Sequence, residues 1–296
     1  MTLLFISIRN VNSKNSGGEK CTNRNYLSFC RILGDENVSV FNISVENEPK
    51  SLKKFLLRQL GFFQGFYAGL TSETKNTLLM KASNFDMVFI DVSYLGILAY
   101  HLYKSGYKGK IVSFFHNVEL SIMRQKTRVN HIHSWKKLII RINERNAVKY
   151  SDYLIALTNH DKEQLMHIYN ATNVNVIPIS LKDEYVAVHN GPIHIPPTFL
   201  FIGDNWFPNL HGLKWFIKNV LDHVDIKLVI VGRNLNMFQK EFSHPKIEFL
   251  GFVKDLHAII SEADFFLCPV FRGGGMKVKI CEALMYGKNI VGTDEA

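Results

Sequence analysis

Three consecutive glycines, Gly273-Gly274-Gly275, stand just ahead of Lys277, Lys279 and Glu282. A glycine run lets the backbone turn sharply and lie against a ligand. The residues that follow, Met276–Tyr286, have the pattern of a helix that stops at Gly287. Lys279 and Glu282 are three apart and share one face of it. A glycine loop opening onto a helix N-terminus suits an anion, because N–H groups point outward and the helix dipole places roughly half a positive charge there. Lys277 and Lys279 add to that charge. A carboxylate one turn further in suits a sugar hydroxyl, which donates hydrogen bonds to it. Phosphate beside ribose means a nucleotide.

Two other positions could meet a ligand. His116-Asn117 follows directly on the apolar run Ile111–Phe115, and in an open α/β sheet the carboxyl ends of strands face the ligand crevice. Gly17-Gly18 lies in a polar stretch after the first strand. It lacks the third glycine and the spacing of a dinucleotide fingerprint, so a nicotinamide-dependent oxidoreductase is disfavoured. His131 and His133 are two apart with no third metal ligand in view, and they read as surface residues. The stretch Ser51–Leu70 sets Lys53, Lys54 and Arg58 among Phe55, Leu56, Leu57, Leu60, Phe62, Phe63 and Phe66. It reads as a basic amphipathic helix, either core-facing or lying on an anionic membrane.

The elements that must position these groups alternate strand and helix. Leu3–Ile8, Val38–Ile43, Met87–Ile90, Lys110–Phe115, Tyr153–Ala156 and Val174–Ile177 read as buried parallel strands, with helices such as Lys20–Leu33 and the basic Ser134–Tyr150 between them. Thr158 or Asn159 can cap the helix after the fifth strand. Gly191-Pro192 and Pro196-Pro197 mark a linker, after which the alternation restarts. Thr198–Ile202, Lys227–Val231, Ile247–Leu250, Phe265–Cys268 and Asn289–Gly292 are its strands, and Asn209–Leu221 and Lys254–Glu262 two of its helices. The expected organisation is a first α/β domain over residues 1–182, a linker over 183–197 and a second α/β domain over 198–296, with a cleft between the domains for small molecules.

Composition narrows the class. The chain has 296 residues, 47% apolar and 21% charged, as expected of a globular protein rather than a disordered or fibrous one. Residues 1–190 hold 24 Lys/Arg against 15 Asp/Glu, whereas residues 191–296 hold 11 of each. The net charge of +9 therefore lies in the first domain, which suits an anionic partner such as a membrane face or a phosphorylated acceptor. Charge alone is the argument for nucleic acid, and no nucleic-acid partner is expected. The four cysteines form no CxxC pair, and Leu3–Ile8 is too short for a signal peptide. The expectation is a reduced, cytoplasmic protein with peripheral membrane contact through its basic domain.

The second domain resembles the family 4 (group 1) glycosyltransferases, retaining enzymes of the two-Rossmann-domain GT-B fold. The resemblance rests on Phe199–Phe216, Leu228–Asn234, Ile247–Leu256, Ala263–Pro269 and the run from Gly273 to Thr293. Before Phe199 it is weaker, resting on Phe114–Asn117, Ser151–Thr158 and Val176–Pro178. It implies transfer of a sugar from a nucleotide-sugar donor to an acceptor hydroxyl of a glycan or lipid-linked glycan. The anomeric configuration is retained, and neither metal nor cofactor is needed. It also implies roles. Glu282 holds the donor ribose, Lys279 and the Gly273–Gly275 amides hold the diphosphate, and His116 faces the donor sugar. Lys277 and Gly203 belong to the same donor site, and Gly17 and Gly18 lie on the acceptor side.

Three departures stand out. Gly274 occupies a position where many members carry a sugar-binding glutamate. Asp204 and Asn205 stand where an arginine and a lysine are common, and Arg233 or Arg272 would have to supply the charge. The chain stops at Ala296, before elements that the family normally has, so the second domain is expected to be incomplete. The alternative reading is an inactive, truncated nucleotide- or sugar-binding remnant of such an enzyme.

Overall fold

A computed structural model describes residues 1–43, 61, 62, 64–126, 134–182 and 192–296. Lys53, Lys54, Arg58, His131, His133 and most of the expected linker lie outside them. The chain divides into two compact units. One is Met1–Ser180 with Gly274–Met276, and the other is Leu181–Gly273 with Lys277–Ala296.

The first unit is built on a six-stranded parallel sheet, ordered β2-β1-β3-β4-β5-β6. Its strands are Leu3–Ser7 (β1), Val38–Asn42 (β2), Met87–Ile90 (β3), Lys110–Phe115 (β4), Tyr153–Ala156 (β5) and Val174–Val176 (β6). Every residue of β1 is buried, because helices cover both faces of a parallel sheet. Leu4 and Ile6 enter a core with Leu78, Val88, Ile90 and Leu98. Phe5 points the other way and stacks on Phe89 at 5.0 Å, against Tyr26 and Phe29. Each such side chain stabilises the unit by roughly 1.5–3 kcal/mol.

The described helices of this unit are Gly17–Leu33 (α1), Ser72–Ala82 (α2), Ile97–Lys104 (α3), Glu119–Lys126 (α4), Ser134–Tyr150 (α5) and Asn159–Tyr169 (α6). Helix α1 starts three residues earlier than the sequence suggests, so Gly17 and Gly18 are its first turn rather than a loop. The reason is local. Ser16 caps the helix by accepting from the Glu19 amide, and the Glu19 carboxylate accepts from Asn15 N and Ser13 Oγ, both at 2.8 Å. That capping outweighs the poor helix propensity of two glycines. Thr158 caps α6 in the same way, accepting from Asp161 N at 3.0 Å.

The second unit holds a five-stranded parallel sheet, ordered β11-β10-β7-β8-β9. Its strands are Thr198–Ile202 (β7), Lys227–Val231 (β8), Ile247–Gly251 (β9), Phe265–Cys268 (β10) and Asn289–Gly292 (β11). Helices Phe207–Asn219 (α7), His257–Glu262 (α8) and Val278–Met285 (α9) cover it. One face of the sheet packs Leu200, Val229, Phe266 and Ala283 together, and the other packs Phe201, Leu213, Leu228 and Ile230.

In each sheet the strand order reverses once, between β1 and β3 and between β7 and β10. Ligands of open α/β sheets bind beyond the carboxyl ends of the strands at such reversals. Both polar clusters described next lie there.

Candidate functional site

In the first unit, Asp91 follows the last residue of β3 and is fully buried. Its Oδ2 accepts from Ser7 Oγ at the end of β1 (3.0 Å) and from Thr22 Oγ1 of α1 (2.6 Å), and its Oδ1 from Asn25 Nδ2 (3.3 Å). His116 follows β4 and brings Nε2 to 3.5 Å from Asp91 Oδ1. Arg9 brings Nη1 to 3.9 Å from Asp91 Oδ2 and to 3.2 Å from His116 Nε2. Gly18 gives Arg9 room, since a Cβ there would press on the guanidinium.

Burial alone would lower the His116 pKa. The Asp91 charge, with hydrogen bonds to Asp91 and Cys21, outweighs it and pushes His116 up to about 9. The ring is therefore cationic at neutral pH. A protonated Nε2 donates to Asp91, which leaves Arg9 a neighbouring cation rather than a donor to the ring. Cys21 responds in the opposite sense. Burial would raise its thiol, but His116 and Arg24 draw it below the ordinary value.

A second buried acid fixes the chain just after His116. Glu144 of α5 accepts from the Glu119 and Leu120 amides at the start of α4 (2.7 and 3.3 Å), from Tyr169 Oη (2.7 Å) and from Ser93 Oγ (3.3 Å). Burial raises Glu144 to about 7 against those bonds. Asp91 and Glu144 were not legible as site residues. The available signal for Asp91 was an acid set directly after a buried strand.

The glycine-loop positions lie in sequence between β10 and α9, Gly273 in the second unit and Gly274 and Gly275 in the first. Gly273 and Gly275 both have positive φ, 142° and 64°. At Gly275 only glycine adopts the left-handed turn without strain. Helix α9 begins at Val278, two residues later than the sequence suggests, with Lys277 at its cap. Lys277 lies beside Glu295, Nζ to Oε1 3.1 Å. Lys279 is one turn before Glu282, and both are partly buried, as is Arg272. Lys279 Nζ donates to Asn209 Oδ1 at 2.9 Å and sits 5.0 Å from the centre of the Phe201 ring. Burial lowers its pKa.

Asn209 extends this cluster, because its Nδ2 donates to the Asp204 carbonyl at 3.1 Å. Asp204 and Arg233 stand just past β7 and β8, two residues beyond the paired Ile202 and Val231. Arg233 donates three times to the Asp204 carboxylate: N to Oδ1 (3.1 Å), Nε to Oδ1 (3.5 Å) and Nη2 to Oδ2 (2.9 Å). Gly203 and Gly232 permit this approach, since a Cβ on Gly232 would run into the Gly203 carbonyl. Arg233 also lines a hollow of about 630 Å³ with Asn205, Asn234, Met237 and Phe252.

The structure thus brings Gly203, Arg233 and Lys279 into one chain of contacts through Asp204 and Asn209. His116, Gly17 and Gly18 belong to the first unit. Among the described residues, no group of three or more His, Cys, Asp or Glu side chains is placed to hold a metal ion, and no helix is long and apolar enough to cross a membrane.

Residues 196–296 match the family model described as Glycosyl transferases group 1, about a third of the chain. No curated protein matches the chain in sequence. The fold is similar to that of the lipopolysaccharide outer core galactosyltransferase WaaB in its apo form (16% identity, TM-score 0.66). It is also similar to Anabaena HepE in complex with UDP and glucose (15%, 0.67) and to sucrose-phosphate synthase from Thermosynechococcus elongatus (14%, 0.71). In each case 99% of this chain aligns with 81% of the other. At these identities the likeness is one of fold. Two Rossmann-like parallel-sheet units of the GT-B kind are what the sequence analysis expects.

Proposed function

We propose that this chain is a glycosyltransferase that moves a sugar from a nucleotide-sugar donor to the hydroxyl of a glycan or lipid-linked acceptor. The observation that carries the reading is the setting of Lys279. Its ammonium is drawn into the protein beside Asn209, at the head of the helix that the glycine loop opens, and burial destabilises its charge. A partly buried cation there suits an anionic ligand. The group 1 match over residues 196–296 supports the same reading.

In this reading Lys279, Arg233 and the glycine-loop amides hold the donor diphosphate, with Lys277 and Arg272 beside them, and Glu282 holds the ribose. As the nucleoside diphosphate departs, charge builds on its phosphate oxygens, and fixed cations aimed there stabilise the transition state. His116 is assigned to the donor sugar. Its raised pKa makes it an electrostatic group rather than a general base at neutral pH. No protein nucleophile is nominated, transfer is with retention, and neither metal nor cofactor takes part. The acceptor belongs to the basic first unit, near Gly17 and Gly18, with peripheral contact to an anionic membrane on the cytoplasmic side.

The Anabaena relative was solved with UDP and with UDP-glucose, so uridine diphosphate is the first donor fragment to test. Calorimetric titration should show binding that Lys279→Ala and Glu282→Ala each weaken, Lys279→Ala by about 10- to 100-fold, as expected for loss of a charge-assisted hydrogen bond. Undiminished binding in both variants overturns the site. A second reading has a specific motive. Gly274 stands where the family's sugar-binding glutamate is common, which favours a nucleotide-binding remnant without transfer. Sugar transfer or donor hydrolysis by the purified chain excludes it.

A further inference from the structure

Asp204 runs against the chemistry around it. It is an acid at the rim of a site built for an anion, and it occupies the guanidinium nearest the hollow. Its carboxylate offers Arg233 two oxygens, which accept from N, Nε and Nη2. That is the geometry in which a guanidinium also takes a phosphate.

We propose that Asp204 is an internal counter-anion. It holds Arg233 beside the hollow, and a phosphate group of the ligand takes its place on the guanidinium. Anion binding at this end of the site is then an exchange of carboxylate for phosphate. The inference deepens the donor-site reading, and it rests on that reading for the identity of the ligand.

Three features favour exchange over a fixed pair. Both side chains are more than a third exposed, 38% and 39%, and ion pairs so open to water are weak. The backbone around them has bonds of its own besides the one that the Arg233 amide makes to the carboxylate. Asn205 N donates to the Arg233 carbonyl at 3.1 Å, and Asn209 Nδ2 to the Asp204 carbonyl. Releasing Arg233 therefore leaves the β7 and β8 ends in place, along with the Asn209 contact that positions Lys279. Finally, Arg233 already lines the hollow.

The test is a double-mutant cycle on inorganic pyrophosphate binding, followed by calorimetry. Asp204→Asn keeps an Oδ1 acceptor for the Arg233 amide and removes the competing charge. It should bind pyrophosphate about fivefold more tightly than the unmodified chain, about 1 kcal/mol. With Arg233→Gln in place, the same change should be worth less than twofold, because the gain passes through the guanidinium. An equal gain with and without Arg233 would mean that Asp204 acts only as a nearby charge, and it overturns the proposal. So does an absence of gain, or of any pyrophosphate binding. The donor-site reading is judged separately, by Lys279→Ala on uridine diphosphate. If that variant and Glu282→Ala both bind normally while the cycle behaves as expected, the donor reading fails and the counter-anion stands. If Lys279→Ala loses binding and the cycle shows no coupling, the reverse holds.

Discussion

Asp91 and Asp204 invite comparison. Each follows a parallel strand at the point where its sheet's order reverses, and each faces an arginine. Asp91 is fully buried, accepts from Ser7, Thr22 and Asn25, and sits against two cations, His116 and Arg9. Asp204 is open to water and meets Arg233. The difference teaches that burial, rather than residue type, decides what a carboxylate does at such a point. Asp91 is a fixed part that sets the charge of His116. Asp204 is a part that a ligand can replace.

The comparison is broken most directly by the same acid-to-amide change at both places. Asp91→Asn leaves the buried His116 and the partly buried Arg9 without their counter-charge, and breaking a buried pair costs about 3–5 kcal/mol. Hydrogen exchange resolved by segment should show β1 and β3 opening faster, with β7 and β8 unchanged. Protection of β1 and β3 that stays within about 1 kcal/mol of the unmodified chain would remove Asp91 from its central place.

A smaller effect sharpens the same contrast through pH. The His116 pKa is raised from 6.5 to about 9 in the folded chain, so the folded state holds the extra proton between those values. Its contribution to stability is complete below about pH 6.5 and is lost as pH rises through about 9. Denaturant unfolding of the unmodified chain and of His116→Gln should therefore differ most near pH 6 and converge toward pH 9. Glu144 is also raised, from 4.5 to about 7, and its stabilising contribution falls away over that lower window. The two groups are thus separable. A difference between the chains that grows toward pH 9 would reverse the assignment of a cationic ring.

Much of the frame was legible because buried parallel strands are apolar on both faces. Met87–Ile90, Lys110–Phe115, Tyr153–Ala156, Lys227–Val231 and Phe265–Cys268 span the residues that the sequence suggests. Helix starts were less legible. Ser16 and Glu19 set the start of α1 by capping, against the local signal of Gly17 and Gly18. The glycine-loop residues could be singled out as candidates because Gly273, Lys279 and Glu282 are close in sequence. The Asp91 cluster could not, since Ser7, Thr22, Asp91 and His116 come from four separate elements and meet only when β1, β3 and β4 pair. Asp204 was visible as a departure from the pattern of the family that the second domain resembles. Its pairing with Arg233 depends on the register that sets Ile202 against Val231.

The smallest effect is the decisive one for the contrast. Asp204→Asn removes a half-exposed ion pair but keeps an oxygen for the Arg233 amide. Such pairs contribute roughly 0–1 kcal/mol. The expected loss of protection in β7 and β8 is therefore under about 1 kcal/mol, several-fold less than the loss at Asp91. Added salt should shrink it further, since charges open to water are screened over about 8–10 Å at ordinary ionic strength. If Asp204→Asn instead destabilises the second unit as strongly as Asp91→Asn does the first, the pair is structural. A phosphate would then have to find its arginine already committed.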